Sequence, residues 1–388
     1  MRNFEFYNPT KIVFGAETVA KLDNLVPANA RVLILFGGAS AKTTGTLGEV
    51  KAALGTREVQ EFGGIEPNPS YETMMQAVEL VRREKIDFLL AVGGGSVIDG
   101  TKFVAAAVGF DGEPWDILLK RGRNVKSAMP FGSVLTLPAT GSEMNNGGVI
   151  MRKSTHAKFS FSSAHVFPQF SILDPTKTYT LPQGQIANGI ADAFVHVVEQ
   201  YLTYPAQALP QDRFAEGLLQ SLIEIAPKAL SMEHDYDTRA NLMWVATLAL
   251  NGLIGAGVPQ DWATHMIGHE ITALYSIDHA RTLAIVLPSL LNLQREHKHA
   301  KLLQYAERVW QITEGSEEQR IDQVILRTRQ FFEGLGIKTR LSEYDLGVTA
   351  AEAVEAIVTQ LGAHGMTALG EPQNITLEVS LAILIDAI

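Results

Sequence analysis

Asp192-x-x-x-His196 and His265-x-x-x-His269, with His279 further on, are the residues of this chain best suited to chemistry. A spacing of four returns a side chain to nearly the same helix face, so the members of each pair can point at one object. A hard carboxylate among neutral imidazoles suits a divalent transition ion such as Fe(II) or Zn(II). The stretch Gly189–Glu199 is mostly apolar, and a buried Asp and His are expensive there unless they are paired or coordinated. Taken alone, Asp192 and His196 read first as hydrogen-bonded to each other or to a neighbouring backbone. The segment Asp261–Glu270 resembles the zinc pattern His-Glu-x-x-His only loosely. Its Glu follows the second His, so a metalloprotease reading fails. His156, His165, His234, His297, His299 and His364 show no partner pattern and read as ordinary surface or loop residues, His297 and His299 as solvated.

Three glycine-bearing turns supply the second kind of chemistry. Gly93-Gly94-Gly95-Ser96 directly follows an apolar run and precedes a helical pattern. In that arrangement backbone N–H groups can meet a phosphate at a helix N-terminus, and glycine permits positive φ or close approach. The turn matches neither the Walker pattern nor Gly-x-Gly-x-x-Gly, and alone it reads equally as a tight turn without a ligand. Gly37-Gly38-Ala39-Ser40-Ala41-Lys42 follows another apolar run. An adenosine ribose lies at such a position in a nucleotide domain, and an acidic residue there would favour a 2′-hydroxyl. This turn carries none; Ser40 and Lys42 tilt the choice to NADP(H) over an ordinary loop. Leu137-Pro138-Ala139-Thr140-Gly141-Ser142-Glu143 is the third turn, weak by itself.

Short β-branched or apolar runs at 11–14, 31–36, 87–92 and 133–137 alternate with helical patterns near 16–25, 44–54, 70–84 and 96–108. Strands alternating with helices argue for an α/β domain with a mainly parallel sheet, whose ligands gather beyond the carboxyl ends of the strands. After Asp174-Pro175 strands give way to helical patterns at 183–203, 211–231, 237–256, 260–275, 280–296 and 316–334. The expected division is an α/β dinucleotide-binding domain over 1–180 and an all-helical metal-binding domain over 181–388.

Composition narrows the remaining classes. With no cysteine, disulfides, thiolate metal sites, cysteine nucleophiles and Fe–S clusters are excluded, so any metal must use His and carboxylates. A net charge of −10 disfavours nucleic acid and anionic membrane as partners. The first residues show no secretory signal, and no apolar run is long enough to span a bilayer. A soluble cytoplasmic protein is expected.

Gly93–Ser96 with Asp99 and Lys102, the segment Leu137–Glu143, Asp192-x-x-x-His196-x-x-Glu199, and His265-x-x-x-His269 with His279 together resemble the iron-containing (group III) alcohol dehydrogenases, over nearly the whole chain. Gly63–Pro69 and Asn251–His265 are similar to the bacterial NADPH-dependent aldehyde reductase and butanol dehydrogenase branch. The resemblance implies a dehydroquinate synthase-like fold and an NADPH-linked reduction of aldehydes to primary alcohols. It implies one divalent metal held by Asp192, His196, His265 and His279. Gly94, Gly95 and Ser96 then match the pyrophosphate turn, and Gly38 and Ser40 the NADP-type adenosine pocket with Gly37 beside them. Asn68 matches a ribose contact. Asp99, Thr136, Thr140 and Asn145 match cofactor-side positions, and Lys158 a lysine near the nicotinamide ribose. His269 matches a residue near the nicotinamide, and either His269 or a solvent path would deliver the proton. A homodimer is implied too, with Phe4-Glu5-Phe6-Tyr7 as a stretch able to reach a neighbour. The same scaffold also serves polyol dehydrogenases and dehydroquinate synthase-like lyases. Few basic residues near the histidines, Arg281 apart, speak against a phosphorylated or multiply charged substrate. A metal- and nucleotide-binding protein without turnover is the non-enzymatic alternative.

Overall fold

The runs Arg31–Phe36 and Phe88–Gly94 alternate not between core and solvent but between two cores. Leu33, Leu35, Leu89 and Ala91 pack on one side with Met74 and Phe103. Val32, Ile34, Phe36, Phe88, Leu90 and Val92 pack on the other with Leu47 and Val50. Side chains alternate faces along a strand, so a strand covered on both faces must read as an unbroken apolar run. Burying each such Leu, Ile or Phe contributes roughly 1.5–3 kcal/mol.

The computed structural model describes residues 1–231 and 234–388, in two compact units. One unit comprises Tyr7–Leu181 with Glu233–Thr247; the other comprises Met1–Phe6, Pro182–Met232 and Leu248–Ile388. The first contains β1 (Lys11–Phe14), β2 (Arg31–Phe36), β3 (Glu58–Phe62), β4 (Phe88–Gly94), β5 (Phe131–Leu137), β6 (Gly147–Arg152), β7 (Ala157–Ser162) and β8 (Phe170–Leu173). Six of these form one sheet in the order β1-β8-β5-β4-β2-β3, with every pairing parallel. β6 and β7 form a separate antiparallel hairpin. Helices Thr46–Leu54, Tyr71–Glu84 and Gly95–Ala107 cover the sheet.

The helix Tyr236–Ala249 supplies a contact to this α/β unit, although the sequence pattern assigns it to the helical half. Met243 is fully buried in the Leu33/Leu89 core. Trp244 meets Phe14 edge to face at 6.1 Å, and Thr247 Oγ1 donates to Glu143 Oε1 at 2.5 Å. The helix stops at Ala249, short of the expected 256, and Gly252 turns the chain with φ +91°.

The second unit is built from helices Gln183–Tyr201, Leu209–Ser231, Ala263–Tyr275, His279–Leu293, His299–Trp310, Glu317–Gly334, Ala350–Ala363 and Leu377–Asp386. A two-residue antiparallel pairing, Ala368–Leu369 with Ile375–Thr376, is its one ladder among the described residues. Every residue from Gly189 to Tyr201 is buried. A helix without a wet face sits at the centre of its bundle, and its polar members must find partners inside.

Candidate metal and cofactor sites

Four of those buried polar members are Asp192, His196, Glu199 and Gln200. Asp192 Oδ1 has no hydrogen-bond partner among the described residues. Three imidazole nitrogens converge on it instead: His196 Nε2 at 3.6 Å, His279 Nε2 at 3.8 Å and His265 Nε2 at 3.9 Å. These separations are too long for hydrogen bonds. They approach the roughly 3.3 Å that separates ligands about 2.05 Å from a tetrahedral ion. Ligand atoms of Asp192, His265 and His279 lie within 4.8 Å of one another. His196 completes the group by its own distance to Asp192, with its ring stacked on His265 at 4.7 Å. An acceptor left unmade in the interior is costly, so this donor set fits a divalent cation. The internal hydrogen bond between Asp192 and His196 does not form. His279, on the first turn of its helix, keeps 23% side-chain exposure and marks the open side of the group.

The residues behind this cluster fix its orientation. His265 Nδ1 is hydrogen-bonded with Glu199 Oε2, and Nε2 faces Asp192. Glu199 Oε1 also accepts from Thr264 N at 2.6 Å. A carboxylate behind a ligating imidazole sets tautomer and ring angle. Burial, and next the charge of Asp261, push the Glu199 carboxyl well above its ordinary range. Asp261 joins the end of the central helix to the helix bearing His265 and His269: its N–H donates to Glu199 O at 2.9 Å, and its Oδ1 accepts from Ala263 N at 2.8 Å. Lys298 Nζ donates to Asp261 Oδ2 at 2.6 Å and to Leu202 O at 2.6 Å. The sequence reading missed Lys298. It stands between His297 and His299 in a stretch that looks solvated, yet it is 4% exposed. His269 is buried, its ring 6.2 Å from that of His265 and 5.1 Å from that of His279. His364 departs from the surface reading: its Nδ1 lies 2.8 Å from Oε1 of fully buried Glu270.

In the α/β unit the Gly93–Ser96 turn falls at the carboxyl end of β4 and opens the helix Gly95–Ala107. None of Gly37, Gly38, Gly93, Gly94 or Gly95 has positive φ, so close approach is what calls for glycine. A Cβ on Gly95 would stand 2.3 Å from Thr140 Oγ1, and one on Gly93 2.6 Å from Val97 Cγ2. The predicted turn residues do meet: Thr140 lies against Gly95, and Asn68 N donates to Ser96 Oγ at 3.3 Å. Asn68 adopts φ +59°, a conformation that Asn tolerates better than most residues. Thr136 lies half-buried near the end of β5. Gly38 is different: a Cβ there would meet nothing within 4 Å.

Beneath the turn lies a buried charge network. Lys102 Nζ, fully buried, donates to Ser142 Oγ (2.8 Å), Asn145 Oδ1 (2.8 Å) and Gly147 O (2.7 Å). Burial pulls its pKa down to about 8, against the opposing charges of Asp99 and Glu143. Asp99 accepts from Ser142 Oγ at 2.6 Å and from Val149 N at 2.9 Å. Both its oxygens are thus engaged inside the domain, which makes it a residue that positions the turn at 140–149. Lys158, on β7, is buried, and its charge acts on Asp99. At the other turn, Ser40 is exposed and starts a four-residue helix. Lys42 Nζ lies 3.7 Å from Glu61 Oε2, which the local sequence could not reveal, and Lys51 holds the same Glu61 at 2.8 Å. Two cations to one carboxylate leave a positive balance.

Comparison with known proteins identifies the family. The family description "iron-containing alcohol dehydrogenase" matches residues 9–175, and "Fe-containing alcohol dehydrogenase family, C-terminal" matches residues 186–388. The chain is 60% identical to the NADPH-dependent aldehyde reductase YqhD of Escherichia coli K12, over 99% of both chains. It is 40% identical to a probable NADH-dependent butanol dehydrogenase of Bacillus subtilis, again over 99% of both. Among solved structures, the substrate- and cofactor-free aldehyde reductase YqhD superposes with TM-score 0.93 at 58% identity, each chain fully covered. An NADH-dependent butanol dehydrogenase A of Thermotoga maritima gives 0.94 at 34% identity, with 100% of this chain and 99% of that one covered. The chain belongs to the iron-containing alcohol dehydrogenase family.

Proposed function

We propose that this protein reduces aldehydes to primary alcohols with NADPH, reversibly, using one divalent metal, Fe(II) or Zn(II), held by Asp192, His196, His265 and His279. The convergence of three Nε2 atoms on the buried, unpartnered Asp192 Oδ1 carries the reading. A divalent ion there supplies Lewis-acid polarisation of a carbonyl oxygen. One carboxylate and three neutral imidazoles leave such a site with net charge +1, which favours negative charge growing on the substrate oxygen. Glu199 keeps His265 in the tautomer that aims Nε2 inward. Reduction moves a hydride from nicotinamide C4 to the carbonyl carbon, and one proton must follow. His269 is the residue to which we assign that proton. The backbone N–H groups at Gly94, Gly95 and Ser96 are suited to a pyrophosphate at the helix N-terminus. Asn68, Thr136, Thr140, Asn145 and Lys158 complete the cofactor side, with Asp99 acting through Ser142. Gly37, Gly38, Ser40 and Lys42 favour a 2′-phosphate, because no acidic residue stands among 37–42.

Among the described residues no helix is long and apolar enough to cross a membrane. We further propose a cytoplasmic homodimer. Phe4, Phe6 and Tyr7 are exposed at 51%, 45% and 73%, an apolar stretch that a second copy would cover. The deciding experiment pairs elemental analysis of the purified protein with absorbance at 340 nm across an aldehyde panel, with NADPH and NADH in parallel, a sugar phosphate as contrast, and light scattering for the mass. A flat trace with metal-loaded protein would overturn the enzymatic reading.

A further inference from the structure

Trp262 stands where a glycine would be at ease. Its φ of +65° and ψ of 6° lie in the left-handed region, immediately before the helix that carries His265 and His269. A bulky aromatic residue is a genuine outlier there, and such outliers persist only where their surroundings over-determine them. Here both flanks do so. Asp261 is held by Glu199 O, Ala263 N and Lys298 Nζ. On the other side Gln260 Oε1 accepts from the indole Nε1–H at 2.9 Å, while Gln260 Nε2 donates to Gly255 O at 3.2 Å.

These bonds fix the backbone and also aim the ring. The indole stands edge-on to His265 at 5.3 Å and 75°, and to His196 at 6.2 Å and 61°. Those two imidazoles are themselves stacked at 4.7 Å. Glycine would make the same turn with no steric penalty. The turn therefore does not account for the side chain, whereas the contact with two imidazoles does.

We propose that Trp262 is a positioning residue for the metal site, its half-buried ring braced against His196 and His265 so that both keep Nε2 directed at Asp192 Oδ1. The proposal rests on the metal reading above. Glu199 fixes one nitrogen of His265, and that hydrogen bond alone does not set the tilt of the ring. The indole blocks the tilt on one side, and through the stacked pair it restrains His196 as well.

The test uses the full chain loaded with zinc and challenged with EDTA, with Trp262→Gly, Trp262→Phe and His265→Ala beside the parent. Zinc release from Trp262→Gly should be at least about tenfold faster, the scale on which outer partners of metal ligands act. Trp262→Phe keeps a ring and should restore most of the retention. Metal-free Trp262→Gly should melt within a few degrees of the metal-free parent, since the relaxed backbone offsets the lost ring contact. The KM for NADPH should not move, while kcat with an aldehyde falls. Parent-like zinc retention in Trp262→Gly overturns the proposal. So does a Phe variant that releases zinc as fast as the Gly variant, or a metal-free melting point that collapses, since the ring then serves only the fold. His265→Ala separates the two levels: if it too keeps its zinc, the metal reading fails; if it loses zinc while Trp262→Gly does not, the role of Trp262 alone fails.

Discussion

Lys102→Met removes a buried cation from beneath the Gly93–Ser96 turn while keeping nearly the same side-chain length. Three hydrogen bonds of 2.7–2.8 Å disappear. Ser142 Oγ still donates to Asp99, and Asn145 Oδ1 still accepts from Gly147 N at 3.0 Å. Gly147 O loses the lysine as donor, and Asp99 and Glu143 lose the cation nearest them. Breaking a buried charge network by removing one partner costs about 3–5 kcal/mol. For a unit of this size each kcal/mol is worth roughly 2–4 °C, so the melting point should fall by about 10 °C. Circular dichroism of the metal-free chain reads the melting point, and fluorescence titration reads NADPH. Affinity for NADPH should drop because the segment 140–147 loses its anchor, whereas metal content should hold, since no proposed ligand lies in that unit. The same lysine gives a pH signature. Its folded-state pKa of about 8 lies below its ordinary 10.5. Between those values the folded chain binds fewer protons than the unfolded one, so stability attributable to this group rises with pH across that window. Subtracting the Lys102→Met profile from the parent profile should expose that slope. A variant that melts within 2 °C of the parent with unchanged NADPH affinity would refute the reasoning.

Three further outcomes follow from the geometry. His265→Ala should lose bound metal and turnover while most of the helical circular dichroism survives; full metal content by elemental analysis would remove His265 from the ligand set. Gly38→Ala should leave the melting point within about a degree, because the added methyl meets no protein atom, yet raise KM for NADPH severalfold; an unchanged KM would mean that no ligand passes there. Ser40→Asp should shift the ratio of kcat/KM values from NADPH towards NADH by repelling a 2′-phosphate, and an unmoved ratio would count against the adenosine assignment.

Of the strands that the sequence reveals, β2, β4 and β5 lie inside the sheet and β1 at its edge, whereas β8, Phe-Ser-Ile-Leu, is fully buried yet too short a run to stand out. β2 and β4 are unbroken apolar runs because two cores flank them. β3, Glu-Val-Gln-Glu-Phe, is an edge strand with mostly exposed side chains, and its composition resembles a loop. β6 begins at Gly147-Gly148 and shows no polar–apolar alternation, and β7 carries Lys158 inward. The central ligands are legible because Asp192 and His196 share a helix face in an apolar run. Their supports are not. Lys298 is remote in sequence from Asp261, Glu61 on β3 reaches Lys42 in the short helix after β2, and the left-handed backbone of Trp262 leaves no trace in residue type. Asp99 shows the converse limit: motif position marks it as important, but only its partners show that it faces the protein interior. Periodicity reports which side of an element a residue occupies, not what waits on that side.

The detour of Tyr236–Ala249 bears on how the chain is made. Residues 7–181 leave the ribosome without Met243 to fill their core and without the Thr247 hydroxyl that donates to Glu143 Oε1. During synthesis the α/β unit must therefore wait, incompletely closed, while the first two helices of the other half emerge. A gene cut after codon 181 would encode a fragment with an open seam, whereas rejoining residues 234–247 to that fragment through a short linker would restore the missing wall.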